Sequence, residues 1–141
     1  MRLLCLAALL LAGCDSSADS AAVLIPLARI GVDLTPTPDG ASRSVFFEVQ
    51  SATGDAYYRT GIQTDASTRV STDVAAPFRV PSSTVVLYVA VFDFGGDLAT
   101  STRLARSEPF TATQVAATER TEIGATVGEA RFTLTRSVFP Q

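Results

Sequence analysis

The chain has 141 residues, 11 basic residues against 14 acidic ones, a formal net charge of −3, and no histidine or tryptophan. Every basic residue is arginine, and asparagine is missing too. Without His and Lys there is no Ser-His-Asp or Cys-His catalysis, no Schiff base and no lysine-bearing phosphate loop, and zinc is left with carboxylates alone. The arginines are scattered without a basic stripe, which argues against a nucleic-acid partner.

The first element is "MRLLCLAALLLAGC". Arg2 gives a positive start, Leu3 to Leu11 an uncharged apolar run, and Ala12 and Gly13 a small-residue end before Cys14. That order is the order of a secretory signal peptide. The run is too short to span a bilayer, which takes ~20 residues. Leu11-Ala12-Gly13-Cys14 resembles the lipobox of bacterial lipoproteins. The resemblance covers residues 1–14 and implies that the Cys14 thiol takes a diacylglyceryl group. It also implies cleavage before Cys14 and a further acyl chain, such as palmitate, on the new N-terminus. Residues 1–13 are then the signal peptide, 14–21 the lipidated cysteine and a polar tether ("DSSADSA" after Cys14), and 22–141 one domain. Cys5 falls in the removed part, so no disulfide forms within the mature chain. Asp15 follows the cysteine, a position that favours inner-membrane retention in some lineages; inner and outer membrane stay open.

From residue 22 the pattern is strand after strand. "AVLIPLARIGVDL" (22–34) is apolar, with Pro26 marking an edge or bend. "TPTPDG" (35–40) is a loop with a turn at Asp39-Gly40. "SVFFEVQS" (44–51) and "AYYRTGIQT" (56–64) form a hairpin across "ATGD". "TRVSTDV" (68–74) and the proline-bounded "PFRVP" (77–81) follow. "STVVLYVAVFDF" (83–94) is apolar on both faces and predicts a central strand. Residues 99–113 predict a strand pair, or one strand bent at Pro109. Residues 118–127 and 129–139 predict a closing hairpin around Gly128, with the last strand a half-exposed edge. "TATQVAATERTEI" is a poor helix candidate because of its threonines. Core candidates are Phe46, Phe78, Phe92, Phe110 and Phe132. The fold expected is all-β: a single antiparallel β-sandwich, immunoglobulin-like or calcium/lipid-binding-domain-like, with a small barrel as the alternative.

Two chemistries survive the missing residue types. Paired-carboxylate hydrolysis would draw on Glu48, Glu108, Glu119, Glu122 and Glu129, none of them in a motif; solvated surface charge is the simpler reading. Calcium would draw on Asp55, Asp93 and Asp97 at predicted strand ends. "DAYYRT" (55–60), "TRVSTDVAAPFRVP" (68–81) and "LYVAVFDFGGD" (87–97) together resemble the calcium-dependent phospholipid-binding sandwich domains. Ala56 stands where those domains have proline, and Gly95 where they have a second aspartate. Tyr57, Tyr58 and Phe94 near turns suggest a recognition patch; the plainer reading packs one tyrosine inward. The expected protein is therefore a non-enzymatic binding or structural module of the bacterial cell envelope. It is tethered to a membrane by lipid outside the cytoplasm, needs no cofactor beyond that covalent lipid, and has an envelope protein or glycan as partner. A calcium-assisted lipid or carbohydrate binder and a carboxylate-only hydrolase are the alternatives.

Overall fold

Antiparallel pairing connects nine strands into one sheet that doubles back over its own core. The computed structural model describes residues 21–84 and 86–138. Residues 1–20, with Leu11, Ala12, Gly13 and Cys14 among them, lie outside the described residues, as does Val85. The strands are β1 (Ala22–Ile25), β2 (Leu27–Leu34), β3 (Arg43–Gln50), β4 (Ala56–Arg59), β5 (Gln63–Ala66) and β6 (Arg69–Asp73). They continue with β7 (Phe78–Pro81), β8 (Tyr88–Asp93), β9 (Thr102–Ser107), the helix α1 (Ala112–Ala117), β10 (Arg120–Val127) and β11 (Ala130–Arg136).

The sheet order is β4-β3-β8-β9-β10-β11-β2-β6, with β5 also on β3; β1 and β7 make a separate ribbon. Val45, Phe47 and Val49 of β3 share one buried cluster with Ile30 and Val32 of β2 and Phe132 and Leu134 of β11. Strands so far apart in one sheet meet only if the sheet folds over. Irregular registers between Ala125 and Val127 and between Val91 and Phe92 mark where the ladder bends, as bulges do. The far edges meet as well: Gln63 of β5 donates to Thr72 Oγ1 of β6 at 3.3 Å. The result is a curled half-barrel, flattened into a β-sandwich around one core.

Local sequence explains most elements. Pro26 has no amide to donate, and the chain changes partners there: β1 leaves for the β7 ribbon while β2 enters the main sheet. Gly128 has φ +74, and a Cβ on it would lie 2.2 Å from the Leu104 carbonyl oxygen, so only glycine fits the tight β10–β11 turn. β8 is central, between β3 and β9, as its two apolar faces predict.

Several expectations need correction. β11 is not an edge: it lies between β10 and β2, with Phe132 and Leu134 fully buried. Alternation reports that one face is wet; it does not report how many strands flank it. Phe47, not Phe46, enters the main core. Phe46 is buried on the opposite face of β3, stacked on Phe92 at 5.1 Å and edge-on to Phe94 at 6.4 Å. Phe78 and Phe92 are half-buried. Residues 99–113 supply one strand, then an isolated bridge from Phe110 to Leu87, then α1. That helix forms despite its threonines because Thr111 and Gln114 close a capping box: the Thr111 hydroxyl accepts from the Gln114 amide, and the Gln114 side chain accepts from the Thr111 amide. Val115 then points into the core.

Candidate functional site

The alternation of β2, β6, β10 and β11 sends one set of side chains into the core and the other onto an open sheet face. In register across that face lie Arg69, Asp33 and Arg131; then Ser71, Gly31, Thr133 and Glu122; then Asp73, Arg29, Thr135 and Arg120. Gly31 has no side chain between Ser71 and Thr133, so the middle row sinks. A shallow depression of about 250 Å³ results, walled by Arg29, Arg69 and Arg120 and floored by Gly31.

Four arginines share three carboxylates within the face. Arg69 Nε donates to Asp33 at 2.7 Å and Arg29 Nε to Asp73 at 2.7 Å. Glu122 sits 3.3 Å from Arg120 and 3.8 Å from Arg131. The hydrogen bond from Arg69 holds the Asp33 carboxyl below its ordinary 3.8, and the fields of Arg69, Arg131 and Arg120 act in the same direction. A lattice of guanidinium, carboxylate and hydroxyl groups of this kind offers hydrogen bonds to a polar ligand.

The opposite half of the sheet presents a different outer face. Glu48 and Gln50 are buried there, at 6% and 4% exposure. Glu48 accepts from Arg59 Nε at 2.7 Å and from Gln50 Nε2 at 2.7 Å. The Arg59 guanidinium also lies over the Phe46 ring, and that of Arg106 lies 3.8 Å from the Tyr88 ring centre. Arg106 donates to the carbonyls of Ser51 and Ala52, which fixes the β3–β4 turn. Sequence reasoning passed over Arg59 and Arg106. The signal was an arginine placed across a strand pair from an aromatic residue or a glutamate, and it becomes readable only once the register is known.

The other acidic candidates are dispersed. Glu108 lies against Gly124, Glu119 is exposed between α1 and β10, and Glu129 in the β10–β11 turn lies by the Thr35 hydroxyl. Glu108 and Glu122 flank Gly124, but both are exposed and Glu122 is shared by two arginines.

Asp55 is in the turn before β4, where it accepts from Thr53 Oγ1 at 2.6 Å and Ser51 Oγ at 3.3 Å. Asp93 pairs with Val45 at the other end of β3, and Asp97 lies in the loop beyond it, accepting from the Thr100 amide at 2.8 Å. Gln50, beside the Asp55 turn, and Val45 are five residues apart on β3, about 17 Å at the rise of a strand. Asp55 is thus not brought to Asp93 and Asp97. Among the described residues no three Asp, Glu, His or Cys side chains gather as a metal site. Tyr57 and Tyr58 both pack against the core cluster. Tyr57 bonds to Thr84 through its hydroxyl, while Tyr58 stacks on Phe78 and accepts from the Ala75 amide. Phe94 packs edge-on against Phe46, on the outer face away from both tyrosines, so the three form no common patch.

Comparison with protein-family models gives no match, and neither does comparison with curated proteins. Among solved structures, one reported with the statement that "CC2D1B coordinates ESRCT-III activity during the mitotic reformation of the nuclear envelope" is similar at 10% identity and a TM-score of 0.47. The similarity covers 78% of this chain and 55% of that one, so this chain spans about half of its length.

Proposed function

We propose that the protein is a membrane-anchored lipoprotein of the bacterial envelope, with a β-sandwich that serves as a non-enzymatic binding or structural module. The observation that carries the reading is Leu11-Ala12-Gly13-Cys14 at the end of an uncharged apolar run that begins behind Arg2. Two or three acyl chains on one residue anchor firmly, at ~0.8 kcal/mol per buried methylene. The binding half of the reading is supported by the face of arginine–carboxylate pairs around Gly31, which offers hydrogen bonds to a polar ligand. The test is fractionation of cells fed an alkyne-bearing fatty acid. Wild-type protein is expected in the membrane fraction with the label, while Cys14→Ala loses the label and leaves its leader uncut. A Cys14→Ala protein that is labelled and membrane-bound like wild type overturns the proposal. Crosslinked pull-down of the anchored protein then identifies what the Gly31 face contacts.

A further inference from the structure

Charge is distributed unevenly over the fold. Residues 21–28, 74–87 and 109–118 carry one charged side chain between them, Arg79, in a chain with 11 arginines and 14 carboxylates. The fold brings these three segments to the same end. Residues 21–28 supply β1 and 74–87 supply β7, which pair as the ribbon. Residues 109–118 supply α1, which packs against β1, β10 and β11. The Ser82 amide bonds to the Ala21 carbonyl at 2.7 Å, and Phe78 stacks on Tyr58, so the ribbon is fastened across the end of the sandwich.

The segments carry no carboxylate and a single arginine, yet much of their surface is not buried. Ala22, Leu24, Arg79 and Pro81 share the outward face of the ribbon, and all four are exposed. Val23 and Leu24 are 38% and 37% exposed. The exposed residues of α1 and its C-cap are Thr113, Gln114, Ala116, Ala117 and Thr118. The rim of this cap holds carboxylates that already have partners: Asp73 with Arg29, and Asp55 with Ser51 and Thr53. Glu108 and Glu119, on either side of the third segment, are the exposed exceptions.

We infer that this cap is the face the domain lays on the phospholipid surface. The inference rests on the anchored-lipoprotein reading and deepens it. Seven peptide steps separate Cys14 from Ala21, and at ~3.4 Å each the cap starts within about 24 Å of an acylated Cys14. Ala21 opens directly into the ribbon, so the cap is the part of the domain nearest the anchor. A face without carboxylates meets anionic phosphates without repulsion, and Arg79 is the single charge its segments bring to the interface. Leu24 and Pro81 supply apolar contact, and the Arg79 guanidinium can reach lipid phosphate while its stem stays on the apolar surface.

The chain has no tryptophan, so a single introduced one reports its own position. Full-length protein from a lipoprotein-processing bacterium is reconstituted into vesicles of phosphatidylethanolamine and phosphatidylglycerol, with and without bromine on the acyl chains. Tryptophan is placed at Leu24 or Ser82 in the cap, or at Leu98, 49% exposed in the loop at the far end. The two cap positions guard against one variant misfolding. Brominated lipid is expected to quench at least one cap position about twofold or more beyond Leu98, as for side chains at interfacial depth. Equal quenching at all three sites in protein that floats with the vesicles overturns the docking face and leaves the anchor standing. Protein that does not float overturns the anchor, and the docking face with it.

Discussion

Glu48 shows how one residue's environment sets its role. It is the buried carboxylate among the described residues, and Arg59 with Gln50 satisfies it. Removing Arg59 leaves that charge in place without its partner. Arg59→Ala is therefore expected to lower the unfolding free energy by about 1–3 kcal/mol, read from urea denaturation. Arg29→Ala breaks a bond of equal length between two exposed side chains and should change stability by less than about 0.5 kcal/mol. Equal effects would mean that burial of Glu48 has no energetic consequence. Asp33 gives a prediction in acid. Its carboxyl is held below 3.8 by Arg69, so the stability it contributes is present above that ordinary value and is lost as pH falls through the lowered one. Unfolding midpoints of wild type should drop faster below about pH 4 than those of Asp33→Asn; parallel profiles would remove Asp33 from the account. At this scale the sequence displayed the residue types but not their partners. The Asp33–Arg69 pair spans 36 positions, and Arg106 reaches a turn 54 positions away.

The elements were more legible than their neighbours. β8 and the β10–β11 hairpin follow from apolar faces and from Gly128, both local features. Which strand lies at an edge depends on how the sheet closes, so β11 reads as an edge while lying in the middle. β3 misleads in another way. Both of its faces are buried, and Phe46 and Phe47 are equally apolar, so alternation alone cannot choose which one faces the core. The helix was masked by threonine, a residue costly inside a helix and useful at its start. At only six residues, α1 depends on its cap. Thr111→Ala is expected to destabilise the domain by about 1 kcal/mol, and Thr111→Ser by much less, in thermal unfolding followed by circular dichroism. Two indistinguishable variants would show that packing of Val115, rather than the capping box, holds the turn.

At the scale of the molecule, the sandwich has two unlike regions. One is a sheet face around Gly31 on which four arginines share three carboxylates, with hydrogen-bonding groups for a polar ligand. The other is a cap whose segments hold no carboxylate and one arginine, directly after the segment that would link it to lipid. The all-β class was readable from strand rhythm, because turns and β-branched runs recur at short intervals. The curl of the sheet was not readable, because bulges and long-range registers produce it. The candidate metal residues were legible only as acids near strand ends; strand direction then put Asp55 at one end and Asp93 and Asp97 at the other. The central claim is that Cys14 begins the mature chain and carries lipid. Mass spectrometry of the N-terminal peptide of protein purified from membranes tests it most directly. A first residue of Cys14, heavier by a diacylglyceryl group, is the predicted result. A mature chain that starts elsewhere, or one that starts at an unmodified Cys14, would contradict it.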